Sequence, residues 1–384
     1  MRQPRSGIFG TFLAIFGSIL IGIGIFWLIA QNWHQLTATI KIIILLVAIS
    51  ASYVIGTLLE HKGYPRIGKV LYFLGALLYT ASIFLIAQIF ATATTIQGTA
   101  WLFLLSWIGV IAAAYLFNSR ISITLGLIEF IIWLILQYFA FNENYTTTPV
   151  AILGLILLAA GVLLYGLHLI HRTQGHTFAS IYQWWTIFYF LAFSYILSFQ
   201  LFIPELWRDY ELIFAPATYF LTVFVILAIT ILSLGLTQAR TAKKILPKEI
   251  QWFIIAILAL FAFIIASAAL PKDYTNDFFY FFGGGTGALP LSIWIFWIIA
   301  NIILLGVILG VVGYGTWQRQ SSIINIGIAF FSLDVITRYI GFIMDLRGYL
   351  SLSLIFISGG ILLIVGGWFI EQWRRRLVTA TRKK

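Results

Sequence analysis

Residues 291–316 read LSIWIFWIIANIILLGVILGVVGYGT, a run without a charged side chain and with one amide, Asn301. As a helix it would extend about 39 Å, more than the hydrocarbon core of a bilayer, which is about 30 Å thick. Lipid offers no partner to free backbone N–H and C=O groups, so such a run crosses as a helix. The same pattern recurs almost end to end. Spans are expected at 8–30, 40–59, 67–90, 99–117, 121–141, 149–170, 180–203, 212–236, 250–270, 291–316, 321–343 and 350–370. The runs are continuous rather than alternating, which excludes a β-barrel. The expected fold is an all-α integral membrane protein, a polytopic bundle of about 12 transmembrane helices.

Charge supports this parse. Hydrophobic residues make up 61% of the chain and charged residues 9%, against roughly 25% charged in a soluble domain. Lys and Arg gather at the two ends and in the even-numbered connections: Lys62, Arg66 and Lys69; Arg120; Arg172; Arg240, Lys243, Lys244 and Lys248; Arg319. Only Lys41, Arg208, Lys272 and Arg347 fall in the odd-numbered ones, and only Arg338 lies deep in a span. The positive-inside rule then places both termini in the cytoplasm of a cell membrane, with the bilayer as the chief partner. Arg374, Arg375, Arg376, Arg382, Lys383 and Lys384 read as an anchor toward anionic lipid, not as a nucleic-acid site. The chain has no cysteine, which excludes disulfides, thiol catalysis and Cys-ligated metal. No cofactor is expected.

The run 8–30 is longer than a secretory apolar core and leads into Gln31-Asn32-Trp33-His34, so it reads as a retained span. Its Ile25-Phe26-Trp27-Leu28-Ile29-Ala30-Gln31 matches Ile83-Phe84-Leu85-Ile86-Ala87-Gln88 after one deletion. Such a match suggests either a tandem hairpin repeat, as in some transporters, or the limited alphabet of apolar helices. Residues 1–145 are read as an N-terminal membrane domain of about five helices, and 146–384 as a C-terminal one of about seven. The turns at 118–120 and 318–320 are short enough for a helical hairpin or a re-entrant pair. The longest connection, 271–290, holds Gly283-Gly284-Gly285-Thr286-Gly287 without the Lys of a phosphate loop, and reads as an interfacial loop.

Gly22, Gly24, Ala30, Asn32 and Trp33, the Gly63-Tyr64-Pro65-Arg66-Ile67-Gly68 turn, and Leu74-Gly75-Ala76-Leu77-Leu78 through Ile86-Ala87-Gln88-Ile89 carry a family resemblance. Over roughly residues 10–145 the chain resembles the bacterial membrane family known as domain of unknown function 2157. Asn325-Ile326-Gly327, Thr337-Arg338-Tyr339 and the Gly359-Gly360 span ending in Arg374-Arg375-Arg376 are similar to the C-terminal part of such proteins. The resemblance implies a multi-pass topology and brings no activity with it.

Polar residues inside spans are the candidate sites. Asp334 and Arg338, four apart, share a helix face in the favourable acid-first order. They lie about 20 and 26 Å from the cytoplasmic end of their span. Either charge alone would cost about 2.5–3.5 kcal/mol at mid-membrane. The pair is either a structural bridge or a gate whose arginine grips a carboxylate or phosphate. Glu129, about 12 Å into its span, could stay neutral in a hydrogen bond or could take up and release a proton. Asn32 and Gln88 could cap their helices or rim an outer vestibule. Asn301 is expected to hydrogen-bond between helices. His168 and His171, three apart, could share a metal but fit a solvated face better, and no metal site is expected. Ser18/Gly22, Gly306/Gly310 and Gly359/Gly360 suit close helix packing. Trp33, Trp101, Trp184, Trp185, Trp207, Trp252, Trp317 and Trp373 suit interfacial belts.

No connection holds a soluble catalytic domain, so chemistry would have to occur among the helices. The reading that best fits is a permease or flippase-like transporter of a small anionic or zwitterionic solute or a lipid-linked molecule, with Arg338 engaging it and Glu129 coupling protons. A non-catalytic partner of another membrane protein, or of a second copy, remains open. So does a transferase acting on a lipid-linked substrate, although Glu143, Glu205, Asp209, Glu211, Asp273, Asp277 and Asp345 form no recognisable motif.

Overall fold

The structure is a computed structural model. It describes residues 36–90, 95–143, 149–200, 202–207, 216–243, 247–270 and 290–346, with separate positions within 13–31 and 357–379. Asn32, Trp33, His34, Trp373, the glycine run 283–287 and the basic end 382–384 lie outside the described residues, as does most of the expected first and last spans. The helices are α1 (Ala38–His61), α2 (Pro65–Ile89), α3 (Ile96–Leu116), α4 (Arg120–Glu143), α5 (Val150–Gln174), α6 (Ala179–Leu197), the one-turn α7 (Phe202–Glu205), α8 (Pro216–Thr241), α9 (Pro247–Ala266), α10 (Leu291–Trp317) and α11 (Ser321–Leu346). Among the described residues all regular structure is helical, and nine helices, all but α6 and α7, are long and apolar enough to cross a membrane. α6 is 19 residues long, and Gln183, Thr186 and Ser194 interrupt its apolar run.

Local chemistry sets where the helices begin. Pro65, Pro216 and Pro247 open α2, α8 and α9, where a missing N–H costs nothing and the fixed φ suits the first turn. Thr37 and Thr95 cap α1 and α3 by accepting from Ile40 N at 3.4 Å and Gly98 N at 3.0 Å.

The ends in the base-rich connections share one device. Gly63, Asn118, Gly175, Lys243 and Arg319 have positive φ, one in each. Behind four of them the chain closes by a bond back into the last helical turn: Tyr64 N to Leu59 O, Ser119 N to Ala114 O, His176 N to His171 O and Gln320 N to Gly315 O, at 2.8–3.0 Å. Such a left-handed stop reverses the chain in very few residues. The turns at 118–120 and 318–320 therefore join full antiparallel helices, α3 to α4 and α10 to α11, rather than re-entrant segments.

The chain divides into two compact units, 1–145 and 146–384. In the first, α2 packs against α1, α3 and α4. Small residues bring it close to α1, since a Cβ on Gly68 would stand 2.7 Å from Gly56 O. Phe117 stacks on Tyr53 and Tyr72, with ring centroids 4.8 and 4.4 Å away. In the second, α5 packs against α6, α8 and α9, and α6 packs against α10 and α11. A Cβ on Gly235 would meet Gly166 O at 2.6 Å, so α5 and α8 touch backbone to backbone.

Two expectations need correction. Among the described residues nothing lies within 4 Å of a Cβ at Gly306 or Gly310, and they share an exposed face of α10 with Ile302, Leu305 and Leu309. Close packing instead falls on Gly56, Gly68, Gly166 and Gly235. Trp101, Trp184, Trp252 and Trp317 are exposed, but Trp185 and Trp207 are buried. The Trp207 indole N–H reaches Ile264 O at 2.7 Å and Ser267 Oγ at 3.1 Å, so its polar edge is satisfied inside the core.

Candidate functional site

Asp334 and Arg338 stand one turn apart on α11, and Arg338 Nε donates to Asp334 Oδ1 at 3.1 Å. The same guanidinium reaches the end of α6: its Nη2 donates to Ser198 O at 3.0 Å and to Ser198 Oγ. Asn301 Nδ2 of α10 also donates to Ser198 O, at 3.3 Å, and to Trp297 O at 2.7 Å. Ser198 is the residue on which α6 stops, so a cation and an amide both sit on the negative end of that helix. The Phe199 ring lies 4.9 Å from the guanidinium carbon, a cation–π contact. The Arg338 and Asp334 side chains are 28% and 23% exposed. Among the described residues one nitrogen of the guanidinium, Nη1, is therefore left without an acceptor.

Glu129 of α4 is 2% exposed and has two hydroxyls as partners. Thr80 Oγ1 of α2 lies 2.6 Å from Glu129 Oε1, and Ser106 Oγ of α3 lies 3.1 Å from Glu129 Oε2. Ser106 Oγ is also 2.9 Å from Thr80 Oγ1, which is 3.1 Å from Ala76 O. Four contacts share two hydroxyl protons. A carboxylate adds none, whereas a carboxylic acid adds a third, so the neutral acid fills more of this cluster. Trp107 and Phe130, which follow Ser106 and Glu129 on α3 and α4, pack with ring centroids 5.2 Å apart.

A second buried acid was not anticipated. Glu249, in the first turn of α9, is 5% exposed and gathers four helices. Arg172 Nη1 of α5 donates to its Oε1 at 3.1 Å and its Oε2 at 3.3 Å. The Tyr165 and Tyr314 hydroxyls, from α5 and α10, donate to Oε1 at 3.3 and 3.2 Å. Gln183 Nε2 of α6 donates to the Tyr314 hydroxyl at 2.8 Å. In the sequence Glu249 sits beside Lys248 at the edge of a span and looks like an interfacial charge. The available signal was Tyr165 and Arg172, seven apart on one face of α5.

His168 and His171 are buried, not solvated. Their Nδ1 atoms lie 2.8 Å from Ala179 O and 2.7 Å from Leu167 O. Each ring is thus tied to a backbone carbonyl, and no group of three or more His, Asp and Glu among the described residues could hold a metal. Gln88 is exposed near the end of α2, and Asn32 lies outside the described residues. Gln88 and Glu129 fall in the first unit and Asp334 and Arg338 in the second. Asp334 and Arg338 form one locus within the second unit.

Residues 1–123 match a family model described as Predicted membrane protein (DUF2157). The N-terminal resemblance holds over that stretch, and the C-terminal motifs lie beyond it. No curated protein and no solved structure matches the chain.

Proposed function

We propose that this multi-pass membrane protein is a permease or flippase-like carrier, and that Arg338 engages an anionic or zwitterionic solute or the headgroup of a lipid-linked molecule. The observation that carries this reading is the guanidinium nitrogen left without an acceptor among the described residues. Asp334 and Ser198 orient Arg338, and its remaining nitrogen can take a carboxylate or phosphate oxygen by a charge-assisted bond. Intramembrane ionisable residues mark solute paths more often than most residue types do. Glu129, in its hydroxyl cluster, fits a proton-binding role in the same cycle. The base-rich turns are assigned to the cytoplasmic side on the positive-inside rule.

A second reading is an assembly partner whose polar residues only fasten helices. It is favoured by the three hydrogen bonds that already hold Arg338 to protein atoms. Single cysteines separate the two, because the chain has none of its own. Asp334→Cys and Arg338→Cys would be exposed in intact cells to an impermeant maleimide, with Leu333→Cys as the apolar neighbour. Labelling at 334 or 338 and not at 333 supports the carrier. Protection at both, in folded and inserted protein, makes the pair a fastening and removes the proposed solute site.

A further inference from the structure

The acid that gathers four helices and the arginine pair act on the same two helices from opposite ends. Gln183 near the start of α6 meets Tyr314 near the end of α10, and through it Glu249 and Arg172. Ser198 at the end of α6 meets Asn301 of α10 and Arg338 of α11. Gln183 and Ser198 are about 22 Å apart along α6, and Asn301 and Tyr314 about 20 Å apart along α10. Each clamp contains an ion pair, Arg172 with Glu249 and Arg338 with Asp334. Between them the seam is apolar: Leu191 packs with Leu304, Ile308, Ile326 and Phe330, and all are buried.

We propose that the two clamps are the two gates of one solute path along the seam of α6 with α10 and α11, with Leu191, Leu304 and Ile308 as the dry seal between them. This rests on the carrier reading. Hydrogen-bonded ion pairs suit gates, because each closes with strong, directional bonds and can exchange them for water when open. The apolar seal has no polar group to hold water, so it stays shut unless a gate loosens. The arrangement assigns Arg172, Gln183, Glu249 and Tyr314 to the gate at the base-rich end. Ser198, Asn301, Asp334 and Arg338 form the other, and a solute must pass both.

The test places a reporter at the seal. Leu191→Cys in the full chain is probed with an impermeant maleimide added to one face of membrane vesicles of each orientation. Arg338→Gln is expected to raise the labelling rate from one face and Glu249→Gln from the opposite face, each about ten-fold if one charge-assisted bond held the gate. Asn301→Ala and Tyr314→Phe repeat the pair with milder changes, in case the charge variants fail to insert. Opposite-face labelling from either pair supports the gates. Unchanged rates, or a rise from the same face or from both faces in each variant, would make the clamps static fastenings. No solute enters this assay, so its outcome is separable from the carrier reading. Opposite-face opening without solute flux leaves the gates and removes the carrier, whereas flux past a sealed Leu191 does the reverse.

Discussion

Glu129 in the first unit and Glu249 in the second are buried to nearly the same degree, yet they are kept in opposite ways. Glu129 has two hydroxyls within reach and shares them with a backbone carbonyl. Glu249 has a guanidinium and two phenols directed at it. In the Glu129 cluster four contacts share two hydroxyl protons, so the acid fills more of them by bringing its own proton, whereas the guanidinium directed at Glu249 is matched by a carboxylate. Burial alone therefore does not tell what a carboxyl does inside a membrane protein. Its donors do.

The contrast can be broken most strongly at Glu249. Glu249→Ala removes the carboxylate that Arg172, whose side chain is 29% exposed, is directed at, and leaves two phenols without this acceptor. It is expected to cost about 3 kcal/mol, the lower end for a broken buried pair because the arginine keeps some access to water. Thermal unfolding of purified protein in detergent reads this. Glu129→Ala removes only neutral hydrogen bonds, and Thr80 and Ser106 can still bond to each other, so a loss of about 1–2 kcal/mol is expected in the same assay. Glu129→Gln sharpens the comparison. An amide keeps a donor and an acceptor in place of the neutral acid, so stability should change by less than about 1 kcal/mol. Glu249→Gln, by contrast, should remain clearly destabilising.

The smallest effect is at the exposed C-terminal end. Glu371 accepts from Arg374 Nε at 2.7 Å and from Arg375 Nε at 2.8 Å. These hydrogen bonds hold its carboxyl down to about 2, against an ordinary value of 4.5. A depressed acid contributes stability that is complete above its unfolded value and lost as pH falls through the folded one. The cluster should therefore persist at pH 4 and dissolve only near pH 2. Arg374→Gln should move the Glu371 midpoint, followed by NMR, back toward the ordinary range.

Much of the fold was legible because bilayer crossing imposes a length and a composition that any reader of the sequence can apply. The short turns at Asn118 and Arg319 were legible as turns, but not as hairpins. The deciding feature is a left-handed residue, and neither asparagine nor arginine announces one as glycine does. Gly306 and Gly310 had the spacing of a packing motif, but spacing does not say which face of α10 meets another helix. The candidate sites were legible in part. Asp334 and Arg338 are four apart in one helix, so their pairing is local and could be foreseen. Ser198 could not, because it lies on another helix and accepts largely through its backbone. Glu129 stood out as a charge in an apolar run, while Thr80 and Ser106 were lost among the many hydroxyls of membrane helices. Glu249 was hidden by its place beside Lys248, where a charge needs no explanation.

The contrast between the two acids is tested most directly by infrared spectroscopy of the membrane-embedded protein at neutral pH, through the carbonyl stretch of protonated carboxyl groups. Spectra of Glu129→Gln and Glu249→Gln would each be subtracted from wild type. The account predicts that a protonated-carboxyl band disappears in Glu129→Gln and is unchanged in Glu249→Gln. A band that survives undiminished in Glu129→Gln would show that Glu129 is ionised among its hydroxyls, and the distinction between the two acids would fall.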